Sequence, residues 1–181
     1  MSEPMAIEIL TSRWLASTLG ASVSHARYPI QGPSRGYSDI DAIAYSRASQ
    51  TLGLAECKVQ GSSRHVDPIR ASPRTEAPRY YGDVVKMVVA VTSTTRNGWL
   101  PGALETRWTV ADEGPEEPGA IRHLRVVLVA NIVRVDVTRD AMDAAFTEEL
   151  REDLDSPLKH RSLTLEGRLL TPLEIIAERY R

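Results

Sequence analysis

Ser38-Asp39-Ile40-Asp41-Ala42-Ile43-Ala44-Tyr45 and, a short way on, Leu54-Ala55-Glu56-Cys57-Lys58-Val59 are the stretches on which the reading of this chain turns. Both are apolar apart from Ser38, their acids and Lys58. If 37–46 and 51–60 are the arms of a hairpin whose turn centres on Ala48-Ser49, residues facing one another have numbers that sum to 97. Asp41 then faces Glu56, and Asp39 faces Lys58. Directly opposed Cβ atoms in an antiparallel pair lie about 4.5–5.5 Å apart, close enough for two carboxylates to share one hard cation. Side chains two apart in a strand share a face, so all four charged residues point the same way. Arg47-Ala48-Ser49-Gln50 carries no Asn-Gly or Asp-Gly, the pairs that pin a tight hairpin, so the register is an inference.

Working outward, Ile40, Ala42 and Ala44 lie behind the acidic face, and Ile43, Tyr45, Leu52 and Leu54 continue it. A sheet covered by helices on both sides needs strands that are apolar in this way. Pro4 and Gly20 bracket a first helix in which Ile7, Leu10, Trp14 and Leu15 recur near helical spacing. A short strand over 21–28 runs into Pro29, Gly32, Pro33 and Gly36. The stretch 61–79 reads as a long loop, and 80–94 as a helix in preference to a strand despite its valines. A short strand is expected over 107–110 and an acidic loop over 112–119. The strongest strand signal is 122–137, followed by Thr138 as the cap of a helix over 140–154 whose Met142, Phe146 and Leu150 form one row. Thr171-Pro172-Leu173-Glu174 is a capping box that opens a final short helix through Tyr180. The expected fold is α/β, a central mixed sheet flanked by helices. One domain spans 1–181, with its core at about 5–154 and a C-terminal extension over 155–181.

At 181 residues, 42% hydrophobic and 25% charged, the composition is that of a globular protein and says nothing of function. A net charge of −2 excludes a protein that coats nucleic acid by bulk positive charge, but not a nuclease whose acidic ligands offset local basic patches. The single cysteine, Cys57, excludes an internal disulfide and reads as a small buried apolar side chain. No basic leader with an apolar core opens the chain, and the apolar run 126–133 is too short to span a bilayer, so a soluble cytoplasmic protein without membrane contact is expected. There is no G-x-S-x-G, G-x-G-x-x-G or Walker A stretch.

The order helix, strand, hairpin bearing D…ExK, helix, strand, helix resembles the PD-(D/E)xK superfamily of restriction-endonuclease-like nucleases, with its αβββαβ core. The residues that carry the resemblance are Asp41 at the mouth of one apolar strand and Glu56-Cys57-Lys58 within the next. It implies that Asp41, Glu56 and the backbone carbonyl of Cys57 hold Mg²⁺ or Mn²⁺, with Asp39 and Glu8 as further ligand candidates. It implies that Lys58 holds or helps deprotonate the attacking water, and that Lys86 faces the site from the following helix. Arg64, Arg70, Arg74 and Arg79 are the candidate phosphate contacts. The implied activity is hydrolysis of phosphodiester bonds, with DNA the favoured substrate. An RNA-directed nuclease and a non-catalytic binding or assembly module on the same fold stand as alternatives. One site cuts one strand, so duplex cleavage favours a homodimer, with 122–137 or the last helix as its surface.

Overall fold

Strands β2 (Asp39–Ser46) and β3 (Thr51–Cys57) are the two arms of the hairpin. In the computed structural model, which describes residues 5–21, 23–29, 39–59, 68–94, 121–134, 136–158 and 163–179, their pairing runs from Ser46↔Thr51 to Ala42↔Ala55. Every pair sums to 97, the register expected from sequence. The turn 47–50 closes with Gln50 at φ 53, a left-handed residue that stands in for the missing Asn-Gly.

The sheet has five strands in the order β1-β2-β3-β4-β5, with β1 (Val23–Pro29), β4 (His123–Val129) and β5 (Thr164–Leu170). Pairing is antiparallel from β1 to β3 and parallel from β3 to β5, so the sheet is mixed. Helices α1 (Ala6–Leu19) and α5 (Pro172–Arg179) cover one face, where Trp14, Leu15 and Ile175 pack on Ala42, Ala44, Ala55 and Val127. Helices α3 (Pro78–Thr94) and α4 (Arg139–Leu158) cover the other, where Val84, Met87 and Phe146 pack on Leu52, Leu54 and Val126. A short helix, α2 (Pro73–Glu76), precedes α3.

Small residues on the α1 side explain how close that helix lies. A Cβ added at Gly53 would stand 2.8 Å from Leu19 Cδ1 and 3.0 Å from Leu15 Cδ2. Trp14 and Leu15 are almost wholly buried by this approach, each contributing about 1.5–3 kcal/mol from apolar burial. Gly20, at φ 58, ends α1 in the left-handed cap expected of it, and the Ala21 N–H donates to the Ala16 carbonyl at 2.8 Å.

Several boundaries differ from the sequence expectation. The end of the expected loop 61–79 is helical: Ser72 caps α2 by accepting from the Thr75 N–H, and α3 already begins at Pro78. Over 80–94 the helical reading holds, because Tyr81, Val84, Val88 and Val91 are buried on one side. The strand signal over 122–137 stops at Val129. The capped helices after Thr138 and Thr171 form as expected, with the Ala141 N–H donating to Thr138 Oγ1 and the Thr171 N–H to Glu174 Oε2. The expected strand 107–110, the acidic loop 112–119 and Arg64 lie outside the described residues.

The larger correction concerns 155–181. This stretch carries β5, which pairs with β4 along its whole length, and α5, whose Ile175 is fully buried. The core therefore continues past 154. Its strand signal is weak because Gly167 replaces an apolar side chain, and Phe146 of α4 takes that space, 2.7 Å from where a Cβ would stand. Strand β4 lies between β3 and β5, so its backbone has neighbours on both sides. Among the described residues no helix is long and apolar enough to cross a membrane.

Candidate metal centre

The β2–β3 ladder ends at Ala42↔Ala55, one step short of Asp41 and Glu56. At that point side chains take over from backbone. The Cys57 N–H donates to Asp41 Oδ2 at 2.7 Å, while β3 stays tied to β4 through the Lys58 N–H and the Val129 carbonyl, also at 2.7 Å. Asp41 is thus held by the main chain of the residue that follows Glu56. The arrangement lies at the carboxyl end of β3 and β4, where the strands of open α/β sheets generally receive ligands.

The electrostatics of the pair are unusual. Burial pushes the Asp41 carboxyl up to about 7, and the Glu56 charge pushes in the same direction. The Cys57 N–H opposes the rise, Glu8 adds to it, and the Lys58 ammonium again opposes it. Glu56 itself is 4% exposed and forms an ion pair with the Lys58 amine. Burial works against the charge on Lys58, yet Glu56 and Asp83 outweigh it and the amine's pKa is raised. Lys58 is therefore a fixed ammonium in the resting protein, suited to holding a water or offsetting negative charge.

Asp83, on α3, completes the placement of that amine at 3.1 Å, and Lys86 lies 3.5 Å from the other Asp83 oxygen. Lys86 thus faces the site at one remove. Glu8, on α1, is fully buried and receives Arg27 Nη2 at 2.7 Å and Nε at 3.2 Å, together with the Met5 N–H at 2.7 Å. Asp39 lies 3.7 Å from Arg27 Nε. Arg74 pairs with Glu152 at 2.8 Å and Asp153 at 3.5 Å on α4, whereas Arg70 and Arg79 are exposed. The Cys57 thiol is buried, donates to Thr11 Oγ1 at 3.6 Å and is pushed far up by burial, which leaves it the inert small side chain expected.

No family model, no curated protein and no solved structure matches this chain.

Among the described residues no group of three or more histidine, cysteine, aspartate or glutamate side chains could hold a metal ion. The structure offers instead two carboxylates, Asp41, which accepts from the Cys57 N–H, and Glu56, the residue before Cys57 in the chain. Mg²⁺ commonly takes only one or two carboxylates from a protein and keeps several waters, so oxygen donors of this kind and number fit it. The Glu56 charge raises the cost of ionising Asp41, and a cation held between the two would relieve it. A cavity of about 460 Å³ lined by Leu154, Leu158, Leu163 and Leu165 lies by the amino end of β5 and is no part of this arrangement.

Two residues of the site escaped the sequence reading. Asp83 had a signal, since it stands three positions before Lys86 and so shares its helix face. Arg27 had none, because its place depends on a cross-strand neighbour and on a left-handed backbone.

Proposed function

We propose that this protein is a metal-dependent nuclease of the PD-(D/E)xK type that hydrolyses phosphodiester bonds, with DNA the favoured substrate. The observation that carries the reading is the Asp41–Cys57 N–H hydrogen bond at the end of the hairpin ladder, which draws Asp41 beside Glu56 while Glu56 holds the Lys58 ammonium. A divalent ion held by Asp41, Glu56 and the Cys57 carbonyl would polarise the phosphoryl oxygen and acidify a bound water. Lys58, kept charged by Glu56 and Asp83, orients the attacking water and offsets the negative charge that develops on the phosphate. Lys86 and the exposed Arg70 and Arg79 supply phosphate contacts around it.

The test is incubation of the purified chain with plasmid, single-stranded DNA and RNA in Mg²⁺, Mn²⁺ or EDTA. Cleavage that needs the ion and is lost in Asp41→Ala and Lys58→Ala is the expected result. Cleavage of RNA alone would move the substrate to RNA. No ion-dependent cleavage of any substrate would leave the non-catalytic module as the better reading, and full activity in either variant would remove that residue from the chemistry.

A further inference from the structure

Four glycines fall among the described residues, and the fold accounts for three of them. Gly20 caps α1 in the left-handed conformation, and a Cβ would stand 2.8 Å from Leu19 at Gly53 and 2.7 Å from Phe146 at Gly167. Gly82 is different. It lies inside α3 with no positive φ, and beyond its own stretch of helix a Cβ added there would meet no heavy atom of the described residues within 4 Å. Glycine is among the poorest residues for a helix interior, and neither the backbone nor the packing of the described residues requires it here. What a glycine does provide at such a place is room for another chain to come close to the helix backbone.

The neighbours of Gly82 say what kind of chain that is. Arg79, Gly82, Asp83 and Lys86 stand at helical spacing on one side of α3, opposite the buried Tyr81, Val84, Val88 and Val91. Arg79 and Lys86 are exposed, with Gly82 and Asp83 half-buried between them. Asp83 ties this side of the helix to the proposed metal centre: one of its oxygens is 3.1 Å from the Lys58 amine and the other 3.5 Å from that of Lys86, so its charge is met by two ammonium groups. From Arg79 to Lys86 the helix rises about 10 Å, a length that one strand of B-form DNA covers in about three phosphates at about 3.4 Å each. Two cations that far apart, with a gap in the side-chain surface between them, complement a sugar–phosphate backbone in both charge and shape.

We infer that the DNA strand to be cut runs along this side of α3 and passes closest to the helix at Gly82, with Arg79 and Lys86 holding phosphates to either side. The inference rests on the proposed nuclease site and adds to it a path for the strand and a positioning residue, Gly82, that acts by having no side chain.

Two substitutions at Gly82 test it, because stability and binding should move in opposite directions. Gly82→Ala should raise the melting temperature of the full chain by about 2–4 °C, since alanine is the better helix former and has open space to enter. Gly82→Leu should fill the gap and hold the strand away from the helix. Binding of fluorescently labelled single-stranded and duplex DNA, followed by anisotropy in EDTA, should weaken in both variants, and by about tenfold in Gly82→Leu, the loss of one charged phosphate contact. In Mg²⁺ the KM for cleavage should rise by a similar factor. Wild-type affinity and KM in Gly82→Leu would overturn the inference and leave the nuclease reading standing. A lower melting temperature in Gly82→Ala would also overturn it, because the chain itself would then fill the space. Neither DNA binding nor ion-dependent cleavage by wild type would overturn the nuclease reading and the inference with it. Should Gly82→Leu fail to fold, Gly82→Ala carries the comparison.

Discussion

Replacing Asp41 by asparagine should make the metal-free protein more stable, which is the reverse of what a buried polar substitution usually does. Burial and the charge of Glu56 raise the Asp41 carboxyl from 3.8 to about 7 in the folded protein. An acid whose folded pKa lies above its unfolded value favours folding below the unfolded pKa and loses that contribution as pH rises through the folded pKa. The window here runs from about pH 4 to about pH 7. Fully expressed, a rise of this size corresponds to about 4 kcal/mol at 1.36 kcal/mol per unit, and solvent relaxation around a partly exposed side chain brings it to about 2 kcal/mol. Asparagine carries no charge, and its Oδ1 still accepts from the Cys57 N–H. At 2–4 °C per kcal/mol for a chain of this size, Asp41→Asn should melt about 4–8 °C above wild type at about pH 8 in EDTA, and about level with it at about pH 4. Magnesium at a hundred times its dissociation constant should raise wild type by about 2.7 kcal/mol and leave the variant unmoved. The assay is thermal unfolding followed by circular dichroism at both pH values, with EDTA or Mg²⁺. A variant no more stable than wild type in EDTA at the higher pH would refute the claim that Asp41 is held beside Glu56 under electrostatic stress.

Two further outcomes follow from contacts away from Asp41. Asp83 helps to keep the Lys58 ammonium charged, so Asp83→Asn should lower the Lys58 pKa and shift the alkaline limb of the cleavage rate to lower pH, with a loss of about tenfold in rate near the old optimum; a pH–rate profile that superposes on wild type would detach Asp83 from the amine. The outer edge of β5 is sealed by α4 and its approach, with Thr147 Oγ1 on the Gly167 N–H at 2.9 Å, Asp143 on the Leu169 N–H and Arg134 on the Leu169 carbonyl, both at 2.7 Å. Thr147→Val with Asp143→Ala should unmask that edge and drive concentration-dependent self-association, read by light scattering, while either change alone should do less.

How much of this was legible depended on whether a residue's role is local. The hairpin register could be read because charged residues inside apolar strands admit few arrangements, and a slip by one would have sent Asp41 and Glu56 to opposite faces. The alternation of β5 could not be read, because the position that Gly167 occupies is filled from α4 by Phe146, a neighbour that only the folded chain brings there. Arg27 and Asp83 mark the same divide within the site. Asp41, Glu56 and Lys58 lie on one hairpin, so spacing alone places them, whereas Arg27 reaches Glu8 and Asp39 only after β1 has docked on β2 and α1 has packed on the sheet. The hairpin thus supplies the groups proposed to react, and tertiary contacts tune their surroundings: α3 helps keep Lys58 protonated through Asp83, and β1 pairs Arg27 with Glu8. A hairpin of the same sequence excised from the fold would keep its acids and its amine and lose the environment that tunes them.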